Sequence, residues 1–169
     1  SCLAHRYADL AVTMAKNATG ERVDELLRIA SVCRHVSAMP PRNLYEALQL
    51  FWFAHLVTTV ENHSLLSFGR FDQDMERFWE TCPPDEAEDL LHCVLIKLND
   101  QADIRQGEGH YGSDNLMLSG LKPDGHDATN AVTWACLDAL DRLRLPNPMF
   151  NVRLHQYSPA DLLRRACDL

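Results

Sequence analysis

The chain has 169 residues, of which 24 are Asp or Glu and 16 are Lys or Arg, for a formal net charge of −8 with His neutral. Apolar residues make up 46% and charged residues 24%, the composition of a globular chain rather than a disordered one. The acidic balance, with no basic run longer than Arg164-Arg165, argues against nucleic acid, whose binding rests on Lys and Arg neutralising phosphates.

The ends carry neither an initiator Met nor a signal-peptide pattern, and the last residues stop inside a helical pattern, so both ends read as cut. Residues 4–16 place apolar side chains at 4, 7, 8, 11, 12 and 15, which predicts a helix, and residues 21–36 repeat the pattern as an antiparallel partner. After Pro40-Pro41-Arg42, Asn43 is positioned to cap a helix over 44–60. That helix is apolar on most faces, which predicts neighbours on several sides. Its polar interruptions, Glu46, Gln49 and His55, leave it short of the roughly 20 apolar residues that span a bilayer. No membrane segment is expected.

Residues 61–69 read as a loop entering a short strand, followed by a helix over 72–79. Pro83-Pro84 opens a helix to about residue 99. Residues 115–119 are strand-like, Asp124-Gly125 is a turn, and Asp127 is expected to cap a helix over 128–143. Residues 149–154 alternate as a strand does, and Ser158-Pro159-Ala160-Asp161 has the look of a helix start with Ser158 as its cap. Helices separated by single strands predict an α/β layering. With no repeat or linker, residues 1–169 read as one continuous piece. The six cysteines form no Cys-x-x-Cys pair, and Cys33, Cys93, Cys136 and Cys167 fall in apolar helical stretches, so they are expected to be reduced and buried, as in a cytoplasmic protein.

The eight histidines show no zinc-site spacing, and no phosphate loop or nucleophile elbow occurs. The prominent polar cluster is Glu61-Asn62-His63-Ser64, set between the most apolar helix and Leu65-Leu66-Ser67-Phe68. Asn62, His63 and Ser64 could bind a small polar substrate in a dry pocket, or they could serve the loop backbone alone. A Ser–His hydrolytic dyad is disfavoured, because adjacent side chains point apart and no orienting acid is marked. Arg70 and Asp72 read as an ion pair or cap fixing a strand-to-helix corner.

Taken in order, several blocks resemble the glycyl radical enzymes, the group that contains pyruvate formate-lyase and related dehydratases, lyases and decarboxylases. They are Pro40-Pro41-Arg42-Asn43-Leu44-Tyr45-Glu46-Ala47-Leu48-Gln49, Ser67-Phe68-Gly69-Arg70-Phe71-Asp72-Gln73, Lys97-Leu98-Asn99, Asp124-Gly125-His126-Asp127-Ala128-Thr129-Asn130, and Leu143-Arg144-Leu145-Pro146-Asn147-Pro148 before Val152-Arg153-Leu154-His155. The resemblance implies a mostly helical α/β segment of a ten-stranded barrel, so that residues 1–169 are a partial barrel domain of a much longer enzyme. It also implies a radical glycine, installed by an S-adenosylmethionine iron–sulfur activating enzyme, and a cysteine in a Gly-Cys-x-Glu loop that relays the radical to substrate. Neither motif occurs in these 169 residues, so no catalytic or cofactor-binding residue is assigned here. The expected partners are the remainder of the barrel with its C-terminal radical domain, the activating enzyme, and a second copy in a homodimer. His63-Ser64 resembles the His-Ser pair that hydrogen-bonds substrate hydroxyls in diol dehydratase members. The expected function is therefore part of a radical lyase or dehydratase acting on a small polar molecule, inactive by itself. The competing reading is a degenerate, free-standing interaction module.

Overall fold

A computed structural model describes residues 2–61, 66–106 and 114–169, with the side chains of 102–106 left aside. The order is α1 (Cys2–Ala15), α2 (Glu21–Val36), α3 (Leu44–Val60), β1 (Ser67–Arg70), α4 (Phe71–Trp79), α5 (Pro84–Gln106), β2 (Asn115–Ser119), α6 (Ala131–Leu143), β3 (Met149–Arg153) and α7 (Ala160–Asp168). None of the described helices is both long and apolar enough to cross a membrane. Residues 1–57 and 58–169 form two compact units.

In the first unit, α1 turns Ala4, Ala8, Ala11 and Ala15 inward, all buried, against α2. The small side chains at three- and four-residue steps let the two helices pack closely. Leu26, Ala30, Cys33 and Val36 answer from α2, and Phe53 of α3 joins the same core. Asn43 begins α3 as its spacing predicts, its Oδ1 accepting from the Glu46 amide at 3.0 Å. Glu46, nearly fully buried, accepts from the Arg42 backbone and guanidinium, which hold its carboxyl below the usual range.

In the second unit the strands lie side by side in the order β1-β2-β3, all parallel. Leu116 and Leu118 of β2 are fully buried on the face against which α4 packs, and α4 and α5 each pack on α6. Side chains one residue out of step point the other way. On that second face Met149 and Asn151 are exposed, and Asn151 Nδ2 donates to Asn115 Oδ1 across the strands at 2.8 Å. The buried Asn147 ties the amino ends together: its Oδ1 accepts from Asp114 N at 2.8 Å and its Nδ2 donates to the Leu98 carbonyl at 3.0 Å.

Three sequence expectations are corrected. The helix expected over 128–143 begins at Ala131, and its cap is Asn130, whose side chain accepts from the Val132 and Thr133 amides while Thr133 Oγ1 accepts from Asn130 N. Residues before Asn130 are committed elsewhere: Leu121 and Asp127 form an antiparallel bridge, and Ala128 N donates to the Gly120 carbonyl. Ser158 does not cap α7; its hydroxyl accepts from His155 N at 2.9 Å, and Pro159 occupies the cap position. Cys33 and Cys136 are buried, whereas Cys93 and Cys167 are exposed, because they lie on the outer faces of α5 and α7.

Candidate functional site

Asn62, His63 and Ser64 lie outside the described residues. After them the Leu66 carbonyl accepts from Asn115 N at 2.7 Å, and β1 follows at once. The sequence therefore places these three residues just before the amino end of β1.

The opposite, carboxyl edge of the sheet is where open α/β sheets present ligand-binding groups, and here it carries a dense polar network. Its hub is Asp72 in the first turn of α4, fully buried. Asp72 Oδ1 accepts from Gln73 N at 2.8 Å; Oδ2 accepts from Ser119 N at 2.6 Å and from Thr133 Oγ1 at 2.5 Å. Burial pushes its carboxyl above the usual range, and the hydrogen bonds from Thr133, Ser119 and Gln73 work against that rise. Thr133 donates to Asp72 and accepts from Asn130, so the carboxylate also steadies the α6 cap. The expected corner is thus real, but Asp72 builds it through Ser119, Thr133 and Gln73; Arg70, at the cap position of α4, makes no side-chain capping bond.

Ser119 ends β2 with φ 60, a left-handed value unusual for serine. It is held there from three directions: its amide on Asp72, its carbonyl accepting from Gln73 Nε2 at 3.0 Å, and its hydroxyl 2.8 Å from Thr129 Oγ1. Thr129 donates its own hydroxyl hydrogen to Asp127 Oδ1 at 3.1 Å. It follows that Ser119 is the donor to Thr129. The Asp127 carboxylate receives a second hydrogen from His155 Nε2 at 2.9 Å, and a third from Thr129 N at 3.2 Å. His155 Nδ1 accepts from Tyr157 N at 3.2 Å, which fixes the ring proton on Nε2. Both ring nitrogens are thereby engaged, and the imidazole braces the end of β3 against the 120–128 loop. Asp127 is this network's acceptor, which explains why it does not cap a helix.

Cys136 of α6 is fully buried; burial first, and the Asp72 charge second, drive its thiol well above the usual value. A thiol so placed is not a nucleophile at neutral pH. Sequence reasoning did not find the Ser119–Thr129–Asp127–His155 chain, nor the Asn115–Asn151 pair. The only local hint is the Ser119-Gly120 dipeptide at a strand end.

Comparison with known proteins places this architecture. Trans-4-hydroxy-L-proline dehydratase of Clostridioides difficile is 32% identical over 99% of this chain and 23% of its own length. The glycerol-bound form of the B12-independent glycerol dehydratase from Clostridium butyricum superposes with a TM-score of 0.85 at 36% identity, covering 98% of this chain and 22% of that one. A glycyl radical enzyme from Archaeoglobus fulgidus superposes with a TM-score of 0.82 at 30% identity, over 98% of this chain and 23% of that one. The chain thus spans less than a quarter of the length of these relatives and superposes as one segment of a glycyl radical enzyme barrel. A family model described as pyruvate formate lyase-like matches residues 1–169, and the chain belongs to that family of glycyl radical enzymes.

Proposed function

We propose that these 169 residues are one part of the barrel domain of a longer glycyl radical dehydratase or lyase, supplying substrate-binding wall and no radical machinery, and that they are inactive alone. The observation that carries this reading is the one-sided sheet. Helices cover the Leu116–Leu118 face, while Asn115 and Asn151 share a hydrogen-bonded amide pair on the other, the arrangement a barrel stave needs if its inner side is to meet a small polar molecule. The radical chemistry belongs to the glycine and cysteine outside this segment, a glycine activated by a separate enzyme. This chain's own residues bind and orient. Asn62, His63 and Ser64, entering β1, are the substrate contacts, with His63 and Ser64 hydrogen-bonding substrate hydroxyls. The intact enzyme is cytoplasmic and a homodimer in this reading.

The test is made in the full-length enzyme, activated under strict anaerobiosis, with His63→Ala and Ser64→Ala. Glycyl radical content is read by electron paramagnetic resonance and turnover is followed in parallel. Radical yield should match the parent while turnover falls at least tenfold in each variant. Unchanged turnover in both would remove the contact assignment, and failure of the parent to take up a radical would remove the enzyme class.

A further inference from the structure

Gly120 follows the strained Ser119 and has φ +91. A Cβ built on it would stand 2.8 Å from Nε and Nη2 and 2.9 Å from Cζ of Arg153, so the missing side chain is the space in which that guanidinium lies. Backbone held in a rare conformation persists only where its surroundings over-determine it, and Asp72, Gln73 and Thr129 do so at Ser119. The result is a seat for a cation at the carboxyl end of β2, filled from β3, where Arg153 pairs in register with Ser119.

The other described arginines show what this one lacks. Arg22, Arg34, Arg42, Arg142, Arg144 and Arg165 each have a carboxylate within 4 Å. Arg28 and Arg77 lie over the rings of Tyr45 and Phe78. Arg6, Arg70 and Arg164 are exposed to water. Arg153 is half-buried, and among the described residues neither a carboxylate nor an aromatic ring meets its guanidinium. The two acids of this edge are saturated: Asp127 by His155 and Thr129, Asp72 by Ser119, Thr133 and Gln73. Taking an arginine half out of water beside a glycine corner is unfavourable unless an acceptor meets its planar fork, and the matching acceptor is a carboxylate.

We propose that Arg153, seated on the Ser119–Gly120 corner, is a carboxylate-binding arginine whose partner comes from outside these residues. That partner is either the carboxylate of a small ligand or an Asp or Glu side chain of the rest of the enzyme. The inference rests on the reading of the chain as part of a larger barrel, but its test does not depend on radical formation.

Thermal unfolding of the unactivated full-length protein is compared in 100 mM acetate and in chloride of equal ionic strength, for the parent, Arg153→Gln and Arg153→Lys. If a ligand carboxylate is the partner, acetate raises the parent's Tm and leaves Arg153→Gln unmoved. If a side-chain carboxylate is the partner, acetate does nothing, Arg153→Gln lowers Tm, and Arg153→Lys, which keeps the charge, recovers a large part of the loss. Equal losses in Gln and Lys variants without an acetate response would mean that the guanidinium merely packs on Gly120, and would overturn the proposal. So would a Gln variant indistinguishable from the parent. Radical content measured on the same preparations reports separately on the enzyme class, so the two readings fail independently.

Discussion

Asp72→Ala is the sharpest perturbation of the carboxyl-edge network. It leaves Ser119 N and the Thr133 hydroxyl, donors 2.6 and 2.5 Å from Oδ2, without an acceptor in a site closed to water. A buried donor left unsatisfied costs roughly 1–3 kcal/mol. Part of this is offset because burial disfavours the Asp72 charge that the substitution removes. We expect a net local loss of about 3 kcal/mol. Asp72→Asn can keep both bonds by presenting its carbonyl oxygen at the Oδ2 position. Its NH2 then faces the Gln73 amide, a mismatch at the rim of the site costing about 1 kcal/mol. The assay is hydrogen exchange at the Ser119 amide in the full-length protein, which reads local opening without requiring two-state unfolding. Exchange should speed up about a hundredfold in the Ala variant and severalfold in Asn. Equal effects of the two substitutions, or no effect of either, would refute the hub role.

The same residue sets a pH signature. Because burial raises the folded-state pKa of Asp72 above its unfolded value, the folded state holds that proton more tightly. Its contribution to stability is present below the unfolded value, about 4, and is lost as pH rises through the folded value. Subtracting the Asp72→Asn profile from the parent's should therefore give a difference that falls with rising pH over that window; a difference that rises would contradict the desolvation account. Asn130→Ala should cost about 1 kcal/mol by removing the α6 capping box. Asp127→Ala should leave α6 protected in hydrogen exchange but free the His155 ring, which is seen by the nuclear magnetic resonance shift of its Nε2 proton. In native protein, iodoacetamide should spare the buried Cys136 until denaturant is added; early labelling of Cys136 would show that the α6 core opens.

The helices were legible because their apolar residues recur at three- and four-residue steps, and α2 and β2 match the expected 21–36 and 115–119. The start of α6 was misread because Asp127-Ala128-Thr129-Asn130 offers three side chains able to cap a helix, and only the bridge of residues 121–127 decides which one does. Ser158 failed as a cap for a similar reason, since the backbone amide of His155 donates to its hydroxyl. Cys93 and Cys167 sit in helices that read as apolar, yet which side faces the core depends on neighbours that periodicity does not name. The polar edge was out of reach altogether. Asp72 meets donors 47 and 61 residues away, and Asp127 meets His155 at a separation of 28, pairings made by the parallel crossovers. At Gly120 the lack of a Cβ makes room for Arg153, a residue 33 positions away that no local pattern names. Family membership was legible from ordered motif blocks, and the whole-chain match bears it out.

The central claim is that these residues work as one part of a larger radical enzyme. The measurement that meets it most directly is the intact mass of the native polypeptide from its source, with peptide sequencing beyond Leu169. The account predicts a chain several times longer that carries a Gly-Cys-x-Glu loop and a radical glycine near its C-terminus. A native product ending near 169 residues, folded and stable, would contradict it and leave a free-standing binding module in its place.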